Sequence, residues 1–310
     1  MFRTASCIAA IVALAAPAAL AETKSYDAQS FEAIKAHGAI DVIYERAATP
    51  SITVEQENGD FSDVYIDFDG DTLVLSRQSL RKGNGWLKRV STSTSNNRKT
   101  IKVNGKKVPY FVVRVAGPTL EAAKVSNSAK LTAVDIEAAT FAGRVSSSSI
   151  LSVSGTVASA KLDASSSSEL YAGSLAAERL EVDASSSADL EARVTGTQLV
   201  NIDASSSSDV VITSLAPAAF SVDASASSDV EITGACSTIT VSASASSDVE
   251  AGALTCSAAD VSASSSSDVA VFASTSVEAH ASSGADIVVG GNPSARDVSR
   301  SSGGDVEFVS

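Results

Sequence analysis

Residues 180–186 read Leu-Glu-Val-Asp-Ala-Ser-Ser, so Leu180, Val182 and Ala184 share one face while Glu181, Asp183 and Ser185 take the other. That period of two predicts a strand with one buried side. The pattern breaks at Ser187-Ala188. It then resumes, with Leu190, Ala192 and Val194 facing inward and Asp189, Glu191 and Arg193 outward, until Thr195-Gly196-Thr197 turns the chain. The same unit returns down the chain. Its opening apolar residue is Val125, Val145, Leu162, Val182, Ile202, Val222, Val241, Val261, Ala279 and Val298 in turn, mostly about 20 apart. A disordered serine-rich tract has no reason to hold such a phase. A fixed period of this length is the mark of a solenoid, in which each unit buries its apolar face on its neighbours. The predicted fold class is all-β, a parallel β-helix of about ten coils with roughly 20 residues per coil.

Stacked coils turn repeated positions into columns. The opening residues form the core, with an inward alanine column beside it at 164, 184, 204, 224, 243, 263 and 281. Two residues further on, Ser166, Ser186, Ser206, Ala226, Ala245, Ser265 and Ser283 are expected to face inward at a tight corner. There, stacked hydroxyls would bond one another or the backbone. The most regular column is acidic: Glu169, Asp189, Asp209, Asp229, Asp248, Asp268, Asp286 and Asp305. A shorter one runs through Asp163, Asp183, Asp203 and Asp223. Like charges at strand spacing repel, so they need compensation. Three readings are open, one of them an acidic stripe that faces a ligand. The carboxylates accept bonds from turn N–H and hydroxyl groups, or Asp189, Asp209, Asp229, Asp248 and Asp268 ligate Ca²⁺ through oxygen. The spacing does not match the glycine-rich calcium repeat. No cofactor is expected otherwise.

Composition refines this picture. Of the residues, 44% are hydrophobic but only 5% aromatic, which suits thin stacked layers. A net charge of −13 argues against nucleic acid and anionic membrane as partners. The charge is uneven, for residues 77–114 hold eleven Lys or Arg and no acid, while 120–310 hold eight bases and 24 acids. Residues 1–21, with Arg3, an apolar run and Ala19-Leu20-Ala21, read as an export signal. No later stretch is long and apolar enough for a membrane span, so the expected location is the periplasm or the cell surface. After such a cleavage Cys236 and Cys256 remain, 20 apart, and they should stack in adjacent coils. They are either a disulfide or two small buried side chains.

Residues 22–119 read as an N-terminal β region, ahead of the serine-rich solenoid at 120–310. Within it "DFDGD" is placed as a hairpin turn rather than a calcium loop, since it lies between strands. "VNGK" at 103–106 is a second hairpin signal. The basic stretch 77–114 is either a hairpin covering the first coil or a contact surface for an acidic partner. Its candidate contact residues are Trp86, Lys88, Arg89, Arg98, Lys99, Lys106 and Lys107. At the other end the inward alanine is replaced by Arg300, read as a charge that blunts an open sheet edge.

The segments "FEAIKAHGAIDVIYE", "SITVEQENGD", "DTLVLS" and "VPYFVVRVAGPTLEAAKVSNSAKL", with the serine-rich turns, resemble the auto-transporter adhesin head, or GIN, domain family over about residues 31–220. The resemblance implies a bacterial secreted β-helix with an adhesin-like role and brings no catalytic residues. Two features depart from the family: turns of Ser-Ser-Ser where Ser-Gly-Ser is usual, and the insertion around Trp86. The leading expectation is a non-enzymatic solenoid that binds a glycan or cell-surface molecule, or another copy of itself. A structural envelope protein and a polysaccharide-processing enzyme are the alternatives. The repeat faces are poor in the residues that acid–base catalysis needs. After the signal, His37 and His280 are the only histidines.

Overall fold

The computed structural model describes residues 21–81, 90–95 and 98–309. The predicted signal, Ala21 excepted, lies outside them. So do Trp86, Lys88 and Arg89, and the side chains of Arg98 and Lys99. Among the described residues the protein is all-β, with one four-residue helix, Gln78–Arg81. It is a β-solenoid of about nine turns with roughly 20 residues per coil.

Long strands such as Glu169–Ser185, Asp209–Ser225 and Asp248–Ser264 each span the end of one unit and the start of the next. Adjacent coils pair in parallel, register to register: Leu162 with Val182, Val182 with Ile202, Ile202 with Val222 and Val222 with Val241. The predicted apolar and alanine columns from Leu162 and Ala164 onward are buried, except for Val298 in the last rung, which is half-buried. Two assignments change. Val125 pairs with Val145, and Val145 pairs with Ala164, so both belong to the alanine column. The residue that precedes Leu162 in the opening column is Gly143. Phe141, Leu151 and Leu162 pack closely around its missing side chain, and a Cβ there would require them to shift by a few tenths of an ångström. The short spacing of 17 in the sequence came from this swap.

The serine corner also differs from expectation. Ser166, Ser186 and Ser206 face solvent, not the core. Each is the first of two left-handed residues; Ser206 has φ 57° and Ser207 φ 59°. Small side chains limit the steric cost of that conformation. The left-handed pair aims its N–H at the next coil, so Ser187 N donates to Ser206 O at 3.0 Å and Ser207 N to Ala226 O at 3.1 Å. The buried hydroxyl is the one after, at Ser168, Ser208, Ser228, Ser247 and Ser267. Ser208 Oγ accepts from Ser205 N at 3.1 Å and donates to Ala184 O of the preceding coil at 3.1 Å. Thus the serine, not the acid, fixes the turn.

The opposite edge of the coil is irregular. Register shifts there, at 172/176, 214/218, 231/234 and 251/255, absorb differences in unit length. Cys236 and Cys256 lie on this side in adjacent coils and are joined by a disulfide, Cα–Cα 4.5 Å.

The solenoid does not begin at residue 120. Ala33–His37 and Asp41–Arg46 already form a coil, paired with Ala122–Ser126 and with the start of Lys130–Ser146. A further rung lies outside that coil, made from Thr72–Arg77 and Val112–Gly117. Antiparallel strands close this end: Val64–Asp69 on Thr72–Arg77, Ser51–Gln56 on Val112–Gly117, and Glu22–Tyr26 on Ser51–Gln56. Both predicted hairpins form. Asp69 pairs with Thr72 across Gly70. Val103 pairs with Lys106 across Asn104 and Gly105, both at positive φ. Val90–Ser95, Arg98–Val103 and Lys106–Val108 make a separate three-stranded sheet. At the far end Ala295–Ser301 and Asp305–Phe308 form the last rung. Arg300 replaces the alanine and folds onto the Val306 carbonyl and Asp305, while Arg296 lies 4.0 Å from the Phe308 ring.

Candidate functional site

The outward columns carry the surface chemistry, because the inward ones are filled. The acid column does not act as predicted at the turn: Asp189, Asp209, Asp229, Asp248 and Asp268 point outward and no turn donor bonds their carboxylates. Partial burial, and then the charges of the stacked neighbours, hold the Asp209 and Asp268 carboxyls above the usual carboxylate range. Asp203 in the second column is raised the same way. Among the described residues no cluster of three or more His, Cys, Asp or Glu side chains stands close enough to hold a metal ion. That applies to the calcium column as well.

The basic stretch is divided by the fold. Arg77 is fully buried and cannot face a partner, while Arg114 is exposed but paired with Glu55 at 2.6 Å. Lys102, Lys106 and Lys107 are exposed on the separate sheet, whose Ile101 and Val103 are buried. His37 bonds Ser126, and His280 sits on an exposed strand face beside Glu278 at 3.0 Å.

One surface feature had no place in the sequence reading. Tyr171 is 43% exposed, and among the described residues no other aromatic ring is as open. Register stacks it in the outward column Thr132, Ser152, Tyr171, Glu191. Its hydroxyl donates to Glu169 Oε2 at 2.9 Å, which fixes the ring. That hydrogen bond, then burial and the charges of Glu169, Asp189 and Glu191, push its phenol up. Gly173 leaves space for the Glu191 carboxylate that leans over it, and a Cβ there would displace the flexible end of that side chain. Tyr171, Gly173, Glu191, Thr132, Ser152 and Val134 line a shallow groove of about 230 Å³. An open aromatic face beside hydroxyls and carboxylates suits a ligand that is apolar on one side and rich in hydroxyls on the other. The signal was one tyrosine where other units carry Glu191, Val211 and Glu231.

A wider groove near the C-terminal end, of about 470 Å³, is lined by Thr240, Asp260, Glu278 and Asp297. It has no exposed ring, and its one cation, Arg296, is engaged by Phe308, Pro293 and Asn292.

No helix among the described residues is long and apolar enough to cross a membrane. A protein from Parabacteroides merdae described as a putative adhesin aligns over 94% of this chain and 97% of its own, at 17% identity and TM-score 0.47. A second so described, from Parabacteroides distasonis, covers 93% and 97% at 16% identity and TM-score 0.46. A protein from that organism described as a putative lipid binding protein covers 94% and 97% at 14% identity and TM-score 0.43. Among proteins with curated descriptions none matches. A family model matches residues 30–214 and again residues 197–293, and the chain belongs to that family, the putative auto-transporter adhesin, head GIN domain.

Proposed function

We propose that this protein is a non-enzymatic, adhesin-like solenoid, exported to the periplasm or cell surface, that binds a neutral glycan at the Tyr171 groove. The observation that carries this is the open Tyr171 ring, bonded to Glu169 two residues before it on the same strand and stacked beside Glu191 of the next coil. A sugar ring packs its C–H face on an aromatic and offers hydroxyls to carboxylates. The groove is smaller than the about 300–1,000 Å³ typical of enclosing ligand sites. It fits one ring of an extended chain lying across the coils. The acidic columns repel anionic polymers from this part of the solenoid. The family supports adhesin-like binding. A second reading, an anionic partner, rests on exposed Lys102, Lys106 and Lys107.

The test incubates residues 22–310 with neutral and anionic polysaccharides and measures retention and oligosaccharide release together. Retention of a neutral polymer without release, lost in Tyr171→Ala and weakened in Gly173→Ala, is the expected result. Release would make the protein an enzyme. Retention of anionic polymers only, lost in Lys106→Glu with Lys107→Glu, would move the site to the basic sheet.

A further inference from the structure

The coil segment before each serine turn presents an outward column whose charge changes sign along the axis. Register gives it residue by residue. It begins Lys35, Lys124, Arg144 and continues Asp163, Asp183, Asp203, Asp223, before becoming Ser242 and Ser262. Three cations are followed by four acids. Nothing in the fold requires this, since stacking like charges on both sides of the junction costs stability. The Arg144–Asp163 pair at the junction, 2.8 Å apart, joins the two blocks. Beyond it, among the described residues, none of Lys35, Lys124, Asp183 and Asp203 has an ion-pair partner.

The columns alongside are flat or small. On one side, register stacks His37, Ser126, Ser146, Ser165, Ser185 and Ser205. On the other it stacks Ala33, Ala122, Ala142, Lys161, Glu181 and Asn201. The alanines flank the cations, and the long Lys161 and Glu181 flank the acids.

We propose that this face is the interface of an antiparallel homodimer, two solenoids laid face to face about a two-fold axis that crosses the column between Arg144 and Asp163. Such an interface must be self-complementary, each residue meeting its opposite number in the reversed order. This column is. Reversal about that point sets Arg144 against Asp163 of the second copy, Lys124 against its Asp183, and Lys35 against its Asp203. It also sets Lys161 over Ala142 and Glu181 over Ala122, so long side chains meet short ones and no like charges coincide. A shift by one coil brings Asp163 against itself, which fixes the register by repulsion. The Tyr171 groove lies on the strand segment after the turn, away from this face. Each dimer would therefore offer two grooves, and a repetitive polymer could engage both.

The test is sedimentation velocity of residues 22–310 at low ionic strength across a concentration series. The expected result is a reversible dimer that dissociates near 0.5 M salt, where screening is short-ranged, at roughly 4–5 Å. Lys124→Glu and Asp183→Lys are each expected to raise the dissociation constant at least about tenfold, the equivalent of about 1.4 kcal/mol. Both positions are exposed, and thermal melts check that the variants fold. Mixing Lys124→Glu with Asp183→Lys restores opposite charges at both symmetry-related contacts, so the mixture re-forms a dimer that neither variant forms alone. A wild-type chain that stays monomeric overturns the proposal, as do single variants that dimerise unchanged or a mixture that fails to recover. Glycan retention by the Lys124→Glu monomer separates this result from failure of the Tyr171 reading.

Discussion

The N-terminal end and the serine-rich coils face the same problem and solve it differently. Every left-handed turn exposes carbonyls toward the coil below and N–H groups toward the coil above. In the repeat, the next identical turn supplies the partner, as when Ser187 N meets Ser206 O. The first turn, Gly38-Ala39, has no turn beneath it. There a guanidinium takes the place of the missing coil. Arg77 Nε donates to Gly38 O at 3.0 Å and Nη2 to Ala39 O at 3.0 Å. Nη1 bonds Asp63 and Pro109 O, both at 2.8 Å, and the group stacks 4.6 Å from the Phe111 ring. A repeat satisfies its backbone by copying itself. An end needs an individual residue, since buried polar groups must be paired. Stability is therefore spread over many equivalent contacts in the coils and concentrated in one side chain at the start.

The largest expected effect follows from that concentration. Arg77→Met removes donors from three carbonyls and leaves Asp63 without its cation. Breaking a buried ion pair of this kind costs about 3–5 kcal/mol. Because coils contact only their neighbours, the loss should be local. Hydrogen exchange should speed up over residues 33–77 while residues 200–280 stay protected. Uniform acceleration along the chain would show instead that the two regions unfold as one unit. Asp63→Asn added to Arg77→Met should recover part of the loss, since it removes the stranded charge.

A second change probes the coils, where no single contact is expected to dominate. The Cys236–Cys256 disulfide is the exception, a covalent tie between neighbours otherwise held by ladder, core and hydroxyl hydrogen bonds. Closing a loop of this size contributes about 3 kcal/mol in the chain-entropy view. Reduction, or Cys236→Ser with Cys256→Ser, should lower the melting temperature. It should do so through residues 218–273 rather than through the N-terminal end. A melt unchanged by reductant would mean that stacking alone holds those coils.

This contrast also explains what could be read from the chain. Coil length, the alanine column and the buried opening residues were legible because their period is written repeatedly. The serine turn was located but its faces were misjudged. An alternation of two continues inward only while the backbone stays extended, and two left-handed residues reset the phase before Ser208. Val145 was placed in the wrong column because apolarity cannot distinguish it from the position that Gly143 fills. The first coil, at 33–46, was hidden because its neighbouring rung comes from later in the chain, and no spacing records that. Arg77 looked like one of eleven surface bases, since burial of a cation depends on partners at 38, 39, 63 and 109. Tyr171 stood in the open as a single deviation from its column, a signal visible only once the columns are aligned.

The smallest effect concerns the stacked acids of the coils, and it depends on pH. Burial and stacked neighbours raise the folded Asp209 and Asp268 carboxyls above 3.8. The folded state therefore binds these protons more readily than the unfolded chain. By linkage their contribution to stability improves as pH falls from neutral toward 3.8 and is complete below it. Asp209→Asn tests this directly. It should raise the melting temperature slightly at pH 7, less in high salt, and not at all below pH 4. The serine turn predicts this outcome, because Ser208 already bonds Ser205 N and Ala184 O, and the acid adds only repulsion. A lower melting temperature at pH 7 would return the carboxylate to the turn, where the sequence first suggested it.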